Sequence, residues 1–338
     1  TAINDIRITN CEIYDVGRSG VNFLNPWARR AETGDTKWGP NYMSSHAPGS
    51  AGFTYTPYKN FYFANNIVHD VDGDGLIVDN NSGAVVENNL VYRTTKNPGA
   101  MGASVGMFNW NSDDTVFQYN EVYDIQMGGD AQGIEVDALN DGTIVQYNYV
   151  HDNAGGLMMW CNTSDGIRSF DSVIRYNISQ NDGVGHGLFD MRPANYNTEF
   201  YNNTIYLKPD VLNSQGQINL FGYSGGSMTT AKFYNNIFYY TGEEAKPANN
   251  FGGNTLDWRS NIFYNFSNLP ENNDPGHPNV NIDPLFVDPG KGGTGTYAGE
   301  KVDLSGYALQ EGSPAIDAGV PMEDSGGRDY FGNPVSGL

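Results

Sequence analysis

Apolar and polar positions alternate along this chain in short runs, and the runs recur. The unit reads apolar–x–apolar–x–Asn–x–apolar–x, from ITNCEIYD (8–15) and FANNIVHD (63–70) through VENNLVYR (86–93), FQYNEVYD (117–124) and VQYNYVHD (145–152). It continues as IRYNISQN (174–181), FYNNTIYL (200–207), FYNNIFYY (233–240) and WRSNIFYN (258–265). Aligned, the units place Cys11, Asn66, Asn89, Asn120, Asn148, Asn177, Asn203, Asn236 and Asn261 in one column, at steps of 23 to 33 residues with one of 55. Alternation within each unit is that of a strand, and a period of this length is that of a solenoid.

A second strand follows each unit and opens on glycine: GVNFLN (20–25), GLIVDN (75–80), GMFNWN (106–111), GIEVDA (133–138), GLMMWC (156–161) and GLFDMR (187–192). No helical pattern intervenes, which excludes leucine-rich and ankyrin repeats. The expected fold is all-β, a right-handed parallel β-helix over 1–266, with rungs about 4.8 Å apart. The Asn column is expected to form an amide ladder, each side chain bonded to the next rung. Cys11 and Cys161 fall four rungs apart, roughly 19 Å, beyond disulfide reach, so both are expected as free thiols.

Two segments break the pattern. Residues 26–60 form an inserted loop too long for a connector, carrying Trp27, Arg29, Arg30, Trp38, Tyr42 and His46. Residues 267–338 lose the period, are rich in Pro and Gly, and are expected as an irregular C-terminal cap packed on the coil. The first rung has no comparable cover, so further rungs or a partner subunit are expected before Thr1.

Charge narrows the function. Lys and Arg number 18 against 39 Asp and Glu, a formal net charge of −21. Such a surface repels nucleic acid and anionic membrane, and no apolar run reaches the roughly 20 residues of a membrane span. High Asn and Tyr with little Lys point to a secreted or cell-surface protein.

Candidate chemistry gathers on the fourth glycine-led strand. With Ile134 and Val136 inward, Glu135 and Asp137 point outward, about 6.6 Å apart along the strand. Asp130 stands at the corner before them. Paired carboxylates on one face suit glycoside hydrolysis, one donating a proton while the other attacks or activates water. Trp110 and Trp160 are expected beside Asp137, and Phe108 and Met158 beside Glu135, as stacking surfaces for sugar rings. His186, Asp190 and Arg192 suit an adjacent subsite, with Trp27 or Trp38 brought over from the loop. The bland alternative is that the aromatics pack beneath a loop and the acids only solubilise. Asp70, Asp72 and Asp74 resemble the start of a calcium loop, but Asn81 stands where its closing Glu would be; a solvated turn competes there, and no other cofactor is called for. His69 and His151 recur at one repeat position and read as structural.

These residues carry a resemblance. The rungs of 61–266 with the DPLF…SPAID tail look like the right-handed β-helix carbohydrate-active enzymes. DAQGIEVD (130–137) is similar to the active-site strand of the lacto-N-biosidase glycoside hydrolases, glycoside hydrolase family 136. The resemblance implies a retaining mechanism with Asp130 as acid/base and Asp137 as nucleophile; Glu135 is the competing partner on the strand face. A polysaccharide lyase is the second reading, although the net charge disfavours a polyanionic substrate without calcium and the groove shows no Lys. A non-catalytic glycan-binding β-helix is the third.

Overall fold

A computed structural model describes residues 3–23, 30, 35–38, 55–97, 104–162, 167–224, 229–248, 256–272 and 274–335. The strands stack into three parallel sheets, two of nine strands and one of seven. The first sheet runs from Arg7–Thr9 to Leu256–Arg259, the second from Glu12–Tyr14 to Ile262–Tyr264, and the third from Val21–Phe23 to Phe221–Ser224. Each turn of chain contributes one strand to each of the first two sheets in order, and the first seven turns add one to the third, which makes the architecture a parallel β-helix.

Local sequence explains the corners. The residue before each ladder position holds a left-handed backbone, from Asn65 (φ 57°) and Tyr119 (φ 56°) to Asn235 (φ 58°). That conformation bends the chain between the first and second sheets. The ladder Asn then turns its amide inward. Asn120 donates from Nδ2 to Asn148 Oδ1 at 3.0 Å and to the Val86 carbonyl at 3.0 Å, while its backbone N–H donates to the same Asn148 Oδ1 at 3.0 Å. The contact repeats from Asn66 through Asn89, Asn148, Asn177, Asn203 and Asn236 to Asn261. All are buried. Cys11 begins the column, its N–H donating to Asn66 Oδ1 at 3.0 Å. The corner into the third sheet is tighter: a Cβ on Gly106 would come within 2.4 Å of the Gly133 carbonyl oxygen.

The inward side chains form one continuous core along the axis. Phe63, Val86, Phe117, Val145, Ile174, Phe200, Phe233 and Trp258 supply the first sheet's share. Both cysteines are free, Cys11 exposed and Cys161 buried.

Residues past 266 have two jobs. Asn279 extends the amide ladder, accepting from Asn261 Nδ2 at 2.9 Å, and Val280 bridges Ile262 in parallel, so this stretch adds a partial rung at the coil's end. The rest lies along the flank. Phe286, Leu304 and Tyr307 pack on Tyr149, Ile178 and Tyr206, and Met322 joins Tyr147, Tyr176, Tyr201 and Tyr234.

Candidate active site

The third sheet places the acids. Ile134 and Val136 are fully buried in the core, so Glu135 and Asp137 leave the coil on its outer side. On the rung before, Phe108 stands opposite Glu135 and Asn109 opposite Val136, which puts half-buried Trp110 beside Asp137.

The rung after departs from the sequence reading. Ile134 pairs with Met158, Glu135 with Met159 and Val136 with Trp160. Aligning the opening glycines sets this strand one residue out of step, because the corner at Gly155–Gly156 holds one residue more. A one-residue slip exchanges the faces of a strand. Trp160 is therefore 0% exposed, packed against Phe189, Phe200 and Phe233. It is a core residue and cannot stack on a sugar. Met158 is likewise in the core. Cys161 takes the place beside Asp137, its N–H donating to the Val136 carbonyl at 3.0 Å. Alternation alone did not reveal this, since MMWC offers no polar residue to mark the outer face.

One atom each of Glu135, Asp137 and Cys161, a carboxylate oxygen or the thiol sulfur, all lie within 4.8 Å of one another. Asp137 accepts the Ala138 N–H at 2.7 Å. Burial pushes the Asp137 carboxyl up to about 7, against the pull of that N–H and of a hydrogen bond from Cys161. Glu135, 6% exposed, is raised well above its ordinary range by burial first, then by the charges of Asp137 and Asp130. Both carboxyls are thus harder to ionise than in water, Glu135, the deeper of the two, with the neighbouring acids adding to the effect of burial, and Asp137 with two donors opposing it.

Asp130 sits at the corner leading into this strand, where Arg192 Nη2 reaches its Oδ1 at 3.0 Å. Burial raises its carboxyl, with Arg192 and His186 opposing. Arg192 also approaches Asp190 Oδ2 at 3.5 Å, and His186 Nδ1 lies 3.4 Å from Gln132 Nε2. The structure thus gathers Asp130, Glu135, Asp137, Arg192, Asp190 and His186 across three successive rungs. Gln132, which the sequence reading passed over, joins them; its place in DAQG just before the strand was the available signal.

The inserted loop reaches the rung of Asp137. Arg30 pairs with Asp113 and donates to the Leu139 carbonyl at 3.1 Å, with Trp38 and Tyr55 rings 4.4 and 4.0 Å from its guanidinium carbon. Trp38 is buried against Ala138, Leu139 and Ile167, and Trp110 packs on that cluster. Its ring therefore supports the wall behind Trp110 and does not present a free face. Trp27, Arg29, Tyr42 and His46 lie outside the described residues.

Asp70 pairs with Arg93 at 2.6 Å and with His69 at 2.7 Å, while Asp74 accepts the Val105 N–H at 3.0 Å. Among the described residues, the group of three ligand-bearing side chains close enough to share a metal ion is Glu135, Asp137 and Cys161. His69 and His151 stack with Tyr92 and Tyr123 at centroid spacings of 4.8 to 4.9 Å, an outer aromatic ladder that supports their structural reading.

Comparison with known proteins meets this picture. A family model described as "Right handed beta helix region" matches residues 1–168. A lacto-N-biosidase from Bifidobacterium longum subsp. longum is 28% identical over 365 aligned positions, covering 98% of this chain and 21% of that protein. The chain thus spans about a fifth of its relative's length. Among solved structures, the GH136 lacto-N-biosidase of Eubacterium ramulus shares 24% identity at a TM-score of 0.40, covering 59% of this chain and 28% of that one. Pectate lyase Pel9A shares 15% at 0.44, covering 79% and 62%. The chain is a right-handed parallel β-helix whose sequence is similar to lacto-N-biosidase along nearly its whole length.

Proposed function

We propose that this chain is a glycoside hydrolase of the lacto-N-biosidase kind, cleaving a glycan with Asp137 as nucleophile and Asp130 as acid/base. The observation that carries the reading is the shared burial of Glu135 and Asp137. Burial raises both carboxyls, and the Ala138 N–H at 2.7 Å favours ionisation of Asp137. A rigid, ionised carboxylate held mid-rung can attack an anomeric carbon without reorganising.

Glu135 lies too deep to reach a leaving group, whereas Asp130 stands at the corner. Burial favours its protonated form for the first step, and Arg192 at 3.0 Å steadies the carboxylate needed to activate water in the second. A retaining mechanism sets its two carboxyl groups about 5–5.5 Å apart. Trp110 and Phe108 flank the acids on the preceding rung and offer apolar faces to a sugar ring.

The test is reducing-sugar release from a glycan panel, with a parallel search for unsaturated products by ultraviolet absorbance. Sugar release that Asp137→Asn abolishes is the expected result. Unsaturated products would mean a lyase, and binding without turnover a glycan-binding coil; either outcome overturns the proposal.

A further inference from the structure

The catalytic reading leaves one buried group unused. Cys161 is 3% exposed, and it sits in the outer column that runs Trp110, Asp137, Cys161, Arg192 from rung to rung. Its backbone is pinned on both sides: its own N–H donates to the Val136 carbonyl at 3.0 Å, and the Arg192 N–H donates to the Trp160 carbonyl at 2.9 Å. Its sulfur shares a space under 4.8 Å across with the carboxylate oxygens of Glu135 and Asp137.

From this placement, and resting on the hydrolase reading above, we propose that Cys161 is a positioning residue whose protonated thiol donates to the Asp137 carboxylate and keeps it ionised and aimed. Two features require the thiol to stay protonated. It is out of water, and the acids Glu135, Asp137 and Asp130 face it, with Arg192 the opposing cation. A thiolate there would add a negative charge beside carboxyls whose own ionisation burial already disfavours. The thiol is a weak donor, but its acceptor is charged and desolvated, which strengthens the bond. With Ala138 N–H on one side and Cys161 S–H on the other, Asp137 has two donors. Asp190, buried two rungs beyond Glu135 in the same column, pairs with Arg192, and His186 and Arg192 act on both Asp190 and Asp130.

The sign of the effect is fixed. Removing a donor to a carboxylate raises its pKa, so the acidic limb of the kcat/KM profile, which reports ionisation of Asp137, moves to higher pH. In Cys161→Ala the limb should move up by about one unit and kcat should fall about tenfold with KM little changed. Cys161→Ser, which restores a hydroxyl donor, should recover most of both. A profile for Cys161→Ala that superposes on the native one overturns the proposal, as does equal impairment of the Ala and Ser variants.

A second readout needs no turnover. The chain has two cysteines, so Cys11→Ser leaves a single S–H stretch in the infrared. That band should be lowered and broadened by donation to a carboxylate, and should return toward the free-thiol position in Cys11→Ser/Asp137→Asn. A band indifferent to Asp137→Asn sinks the proposal even if the enzyme is active. A responsive band in a protein that releases no sugar would sustain the thiol–carboxylate contact and fault only the hydrolase reading.

Discussion

Two columns of polar side chains climb this coil, and they are built on opposite principles. In the Asn ladder every rung repeats one neutral group, and each amide is both donor and acceptor to its neighbours, with Asn148 bonded to Asn177, Phe117 and Gln146. In the outer column of the third sheet no two neighbours are alike: Asp79, Trp110, Asp137, Cys161 and Arg192 follow one another. Here charges are buried and only partly compensated, and carboxyls rise above their ordinary range. Repetition satisfies buried polar groups and is stabilising. Its breakdown concentrates unsatisfied charge, which is where chemistry becomes possible.

The sharpest way to break this contrast is to neutralise one member of each column. Asp137→Asn is expected to lower turnover by roughly 10³-fold or more with thermal stability kept or slightly raised, since it removes a buried charge. Activity assays with calorimetry check both. A large loss of melting temperature would place Asp137 with the structural column instead.

Asn148→Ala should do the reverse. It orphans the backbone N–H of Asn120 and removes one of the two bonds of its Nδ2, which keeps the Val86 carbonyl, at a cost of roughly 1–3 kcal/mol for each unsatisfied donor. Chemical denaturation should show a loss of about 3 kcal/mol, with activity per folded molecule unchanged.

The pH dependence of stability sharpens the same point. Asp137 has a folded pKa raised to about 7 from 3.8, so the folded state binds the extra proton between those values. Its contribution is fully present below about pH 4 and is lost as pH rises through 7. Melting temperature should therefore fall as pH rises from about 4 to about 7 and level off above that, and fall less in Asp137→Asn. His151 and Asp182, also raised, act with the same sign in both proteins, so the difference between the curves reports Asp137 together with the share of the Glu135 shift that its charge causes. Parallel curves would mean that Asp137 is ordinarily acidic.

The smallest effect tests the wall. Trp110→Ala should raise KM roughly 3- to 10-fold through lost stacking, worth about 0.5–1.5 kcal/mol, with little change in kcat. An unchanged KM would confine Trp110 to packing under Trp38.

What could be read in advance follows the same division. The Asn column, the glycine-led strands and the free cysteines were legible because each rung repeats the physics of the last. Asn279 escaped notice because HPNVNID lacks the alternating strand before its Asn, though it closes the ladder. Trp160 was placed outside because alignment on glycine hides one added corner residue, and a strand carries no mark of its face when every residue is apolar. The acids were legible as a cluster, but their partners were not. Arg192 comes from two rungs beyond Asp130, and Cys161 reaches Asp137 only through the shifted register.

The most direct test of the central claim is to trap the intermediate. Asp130→Asn should form the glycosyl-enzyme readily from a substrate whose leaving group needs no proton, then hydrolyse it slowly for want of a base. Rapid quench followed by peptide mass spectrometry would locate the sugar. An adduct on Asp137 is the expected result. An adduct on Glu135, or no adduct together with product of inverted anomeric configuration, would contradict it.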